Sequence, residues 1–172
     1  SETEATILPN PKVLSSAEDF VAQQKMLVSI ENTVKEMHES VNQMRSAKTQ
    51  LSHYAKLLKD SKDADSLLEK GKELTKRINS WEENLIQAKQ KTFQDVINFN
   101  NKLNAQLIQL KSYVDQANPK VTNGAKERFN DLMKDWQVYK NERDTIINTE
   151  MKAYNDLFKA LAIPALILEE KQ

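Results

Sequence analysis

Two histidines, His38 and His53, are the first places to look for proton transfer or metal binding in this chain. The di-metal helical bundles pair each ligating histidine with a glutamate three residues before it. Here Lys35 and Gln50 hold those places, and the two rings fall on different faces of one predicted helix. Both read as solvent-facing side chains. Trp81, Trp136 and Tyr139 suggest an aromatic cage, but each sits on a heptad seam, where core packing is the ordinary use of an aromatic. The carboxylates are many, yet a hydrolytic pair needs a cleft that fixes their separation. The sequence holds no Gly-rich phosphate loop, zinc spacing or nucleophile motif. No catalytic, cofactor-binding or metal-ligating residue is assigned.

The elements that would position any site are helices. Charged residues make up 29% of the 172 positions, and there are only two glycines and four prolines. Such a composition favours long helices over sheets. The 25 basic and 25 acidic residues interleave and cancel, so no basic stripe for nucleic acid stands out. No apolar run reaches the roughly 18 residues of a membrane span, and no signal peptide is visible. Cysteine is absent, which excludes disulfides and thiolate chemistry.

Residues 1–14 read as an extended lead-in, because Pro9 and Pro11 disfavour helix in the residues before them. Ser15 and Glu18 then match a capping box. An apolar heptad runs on through Phe20, Gln23, Leu27, Ile30, Val34, Met37, Val41, Met44, Lys48, Leu51, Ala55 and Leu58. A second seam carries Leu67, Gly71, Leu74, Ile78, Trp81, Leu85 and Ala88. Gly71 weakens that helix by about 1 kcal/mol relative to alanine, or lets a bulky neighbour approach. A break is expected within 89–99. The third seam is Leu103, Leu107, Leu110 and Val114. The fourth, capped by Thr122, runs through Ala125, Phe129, Leu132, Trp136, Tyr139, Arg143, Ile146, Glu150, Ala153, Leu157 and Ala160.

The spacing therefore predicts helices over 16–59, 63–89, 100–117 and 122–161, with a short tail over 163–172. Short connections make neighbouring helices antiparallel. The expected fold is all-α: an elongated up-down-up-down four-helix bundle with long first and last helices and two shorter middle ones. In that arrangement both termini meet at a thin, two-helix end. The polar seam residues Gln23, Arg143 and Glu150 would sit there in a partly hydrated interface, while Lys48 snorkels. An apolar docking surface of Ile7, Leu8, Phe93, Phe99, Leu166 and Ile167 is expected at that end, facing another domain or protein.

Several segments carry a resemblance. The lead-in Pro-Asn-Pro-Lys-Val (9–13), AEDFVAQQ (17–24), HESVNQMRSAKTQ (38–50), Gln94-Asp95, Leu103-Asn104, Trp136, AYNDL (153–157) and the ending Ala162-Ile163-Pro164-Ala165 occur in order along nearly the whole chain. The chain resembles the C-terminal helical region of bacterial sortilin-like β-propeller proteins with neuraminidase-type repeats, often labelled glycosyl hydrolases. The chain departs from the family at Phe99-Asn100, where members tend to have Tyr-Pro. The resemblance implies an upstream propeller, an exported, cell-envelope setting and no functional residue on these helices. The function expected is a non-catalytic accessory domain. The alternative is an independent bundle that binds a small ligand or metal between helices, near Trp81 and Trp136. Heptads alone do not say whether a partner helix belongs to the same chain, so a homo-oligomer stays open as well.

Overall fold

The computed structural model describes residues 4–164, with Ile7, Pro9, Val13 and Lys62 excepted. The described residues are all-helical, with no strand. Helix α1 spans Ala17–Leu57, α2 Asp65–Leu85, α3 Leu103–Val114, α4 Asn123–Thr145 and α5 Lys152–Ala160. A π-turn over Ile146–Met151 joins α4 to α5 without a break, and a 3-10 turn covers Phe93–Ile97. The caps explain the starts. Ser16 accepts from the Asp19 amide while Asp19 accepts from the Ser16 amide, a capping box one residue later than the Ser15–Glu18 pair expected. Thr122 caps α4 by accepting from the Ala125 amide.

The direction of each helix is set out by its cross-links. Climbing α1, Ser15 meets Asn118, Gln23 meets Val114, and Glu31 meets Lys111 on α3. Higher up, Arg45 meets Glu82 and Leu51 lies beside Gly71 on α2. Rising numbers on α1 match falling numbers on both α3 and α2. The two middle helices therefore run in the same direction, end to end, as one interrupted descending arm. The last rod ascends: Thr33 meets Met133, Glu36 meets Trp136, Ser40 meets Arg143, and Tyr54 packs edge-on against Phe158.

The molecule is thus a three-arm bundle, up-down-up, and not the up-down-up-down bundle expected. Helix α1, at 41 residues, is about 61 Å long, and the other arms cover its length between them. The reason lies in residues 86–102. Neighbouring helices reverse when their connection is short; this one is long enough to leave the bundle and return. Ile86 turns out in extended conformation, φ −130° and ψ 132°. Gln87 then donates to the Asn100 carbonyl and Gln90 to the Phe99 carbonyl, which closes the excursion on itself in the manner of an Ω-loop. The break expected within 89–99 is present. It does not reverse the chain.

Among the described residues there is no thin two-helix end, and the polar residues assigned to it have partners instead. Gln23 donates to the carbonyls of Val114 and Gln116, capping the free C-terminal end of α3. Arg143 donates to the Ser40 hydroxyl, Glu150 pairs with Arg77, and Lys48 is held by Glu82 and Asn79 rather than snorkelling. The core runs the length of the bundle through Ile30, Met37, Val41, Met44, Leu67, Ile78, Trp81, Leu85, Leu107, Leu132, Trp136 and Ile146. The α1 start and the α5 end lie at opposite poles.

Candidate functional site

Of the expected docking surface, Leu8 and Phe99 alone have side chains among the described residues. Leu8 lies 78% exposed. Phe99 is half-buried in the mid-rod excursion. Ile7, Leu166, Ile167 and the side chain of Phe93 fall outside what is described. His38 and His53 are exposed, as their positions suggested.

The tryptophans are fully buried and each has a task. The Trp81 indole donates to the Tyr139 carbonyl at 2.8 Å, and that of Trp136 to Glu36 at 3.1 Å. With both rings committed to packing, the cavity lies elsewhere. It is a half-open groove of about 340 Å³ between α1, α2 and α5, beside the π-turn. Leu51, Leu74 and Met151 form an apolar floor, and Tyr54, Tyr154 and Phe158 supply three aromatic walls. Gln50, Asn155 and Ala47 complete the rim. Among the described residues, no charged side chain lines it.

The groove exists because the helical register slips. A π-turn adds one residue to an α-helical path. Beyond it, the buried positions move from the expected Glu150, Ala153 and Leu157 to a stripe through Met151, Tyr154, Phe158 and Leu161, with Leu157 still in contact. Tyr154 becomes 8% exposed, where an unbroken α-helix would have presented Ala153. Opposite it, a Cβ on Gly71 would stand 3.2 Å from the Tyr154 ring, tighter than an ordinary contact. Gly71 does admit a bulky neighbour. Burial pushes the Tyr154 phenol above its ordinary pKa, and Tyr54 adds to that shift. The signal was in the sequence: Met151, Tyr154, Phe158 and Leu161 are larger and more apolar than the seam they replace.

The buried charge lies between α1 and α2. Glu82, 8% exposed, takes Arg45 at 2.6 Å and Lys48 at 2.8 Å. Desolvation pushes its carboxyl up, but the hydrogen bonds from Lys48 and Arg45 outweigh it, and the pKa ends below the usual 4.5. A depressed carboxylate adds stability that is present above its unfolded pKa and is lost as pH falls through the folded one. Glu82→Gln should therefore cost about 1–3 kcal/mol at pH 7. The gap to the parent should close on acidification through the carboxylate range, as read by urea titrations at stepped pH. A constant gap would show that Glu82 acts by shape alone. Arg45, Lys48, His53 and Lys56 share an open cleft along α1, a small basic face that the overall balance of charge concealed. Glu82 neutralises two of its cations.

Among the described residues, no group of three or more His, Cys, Asp or Glu side chains stands close enough to hold a metal ion. No helix among them is long and apolar enough to cross a membrane. No family model, curated protein or solved structure matches the chain.

Proposed function

We propose that this chain is a non-catalytic structural domain, a rod that packs on, or spaces out, an upstream propeller or a partner protein. One observation carries the reading. Helix α1 and the α4–α5 rod are parallel, so the chain comes in at one pole and goes out at the other, about 60 Å away. A domain that packed flat against a neighbour through both ends would have them together. The heptad cores and the saturated polar seams favour a stiff body over a deformable one. The parent is proposed to be an exported, cell-envelope protein of the sortilin-like propeller type, with the propeller or another protein as the neighbour at the α1 pole. That part is supported by the resembling segments, chiefly HESVNQMRSAKTQ (38–50) and AYNDL (153–157).

The absence of cysteine makes the test simple. Spin labels on cysteines introduced at the exposed Glu18 and Lys159 should give a single distance near 60 Å, kept when a folded protein is fused to each end. Fused proteins resting against each other, with the label distance unchanged, would end the spacer reading while leaving the fold intact. Reading the coding sequence upstream of Ser1 tests the family: repeats of a propeller would support it, and any other fold would remove it.

A further inference from the structure

The groove beside the π-turn has features that packing alone does not require. Two helices each concede something to form it. Helix α2 gives up a side chain at Gly71, and the last rod gives up α-helical regularity over Ile146–Met151. Both concessions place the Tyr154 ring against a space that stays unfilled. Tyr154 is 8% exposed, and Tyr54 stands beside it. It faces the groove.

We infer that this groove is a binding site for a small uncharged ring, apolar on its faces and carrying a hydroxyl or carbonyl at its edge. The lining selects that chemistry. In a chain where 29% of residues are charged, none of the nine groove residues is, so an ionised ligand would be desolvated without compensation. Tyr54 and Phe158, edge-to-face at 4.9 Å, offer ring surface. Gln50 and Asn155 offer amides at the rim, and the Tyr154 hydroxyl offers one bond from the wall. The volume, at the lower end for small-molecule pockets, admits one ring with its substituents. Two kinds of molecule share this chemistry, an aromatic alcohol and a saturated sugar ring.

The test is amide chemical-shift mapping of the whole chain with phenol, with methyl glucoside, and with benzoate as the charged counterpart of phenol. Saturable shifts confined to residues 47–54, 71–74 and 151–158 with either neutral probe support the site, and the probe that binds identifies the source. Benzoate should bind about tenfold more weakly than phenol or not at all. Ala47→Leu, which fills the groove from its rim, should abolish the shifts. Tyr154→Phe, which keeps the ring and drops the hydroxyl, should weaken binding severalfold while the melting temperature stays near that of the parent. The site is overturned if neither neutral probe gives saturable shifts up to tens of millimolar. It is equally overturned if benzoate matches phenol, or if both variants bind like the parent.

Discussion

Replacing Trp81 with alanine should cost about 3–5 kcal/mol of folding stability, the range for truncating a buried tryptophan. The ring is fully buried on α2, and its indole N–H reaches the Tyr139 carbonyl on α4. The substitution therefore opens a cavity at mid-bundle and also removes a donor that ties these two arms together there. Trp81→Phe should recover most of the packing and still lose the hydrogen bond, for a cost of about 1–2 kcal/mol. Urea unfolding gives both numbers: the midpoint should fall while the slope with denaturant stays constant. A loss below about 1 kcal/mol for the alanine variant would mean that α2 and α4 do not meet at this ring.

Leu107→Ala should cost about 2–5 kcal/mol, and its effect should be concentrated in one segment. Helix α3 has 12 residues, about the length below which an isolated helix does not hold in water. Four side chains anchor it, Leu103, Leu107, Leu110 and Val114, and Leu107 is the most deeply buried of them. The 86–102 excursion separates α3 from α2, so loosening it need not propagate up the descending arm. Amide hydrogen exchange should therefore accelerate across 103–114 well before it does across 65–85. The exposed neighbour Ile108, truncated in the same way, should move stability by no more than about 0.5 kcal/mol. Uniform acceleration through both helices would show that the excursion transmits the loss.

The periodicity was legible from the residues alone. The seams through Leu67–Leu85 and Leu103–Val114 are buried almost position for position, because an apolar side chain every third or fourth residue has one way to leave water on a helix. Which helix a seam faces is not written in the seam. The up-down-up-down expectation rested on treating the break within 89–99 as a short connection. Its length, and the glutamines that close it, were the available evidence against that. The polar seam residues then misled about hydration: Gln23 and Arg143 looked like marks of a wet end, whereas a neighbouring helix terminus and Ser40 satisfy them. The groove was hidden for a different reason. A π-turn changes register by one residue, and a heptad extended through Ile146 without that shift lands on Glu150 and Ala153 instead of Met151 and Tyr154.

The parallel disposition of the first and last rods has a mechanical consequence. Tension applied between Ala17 and Ala160 runs along the bundle axis, so the arms must slide past one another, and many side-chain contacts resist together before any gives way. Once they do, the tether lengthens sharply: the same stretch of chain, drawn out, reaches on the order of 500 Å. Such a rod would keep its two ends at a fixed separation under small loads and absorb a large one by yielding.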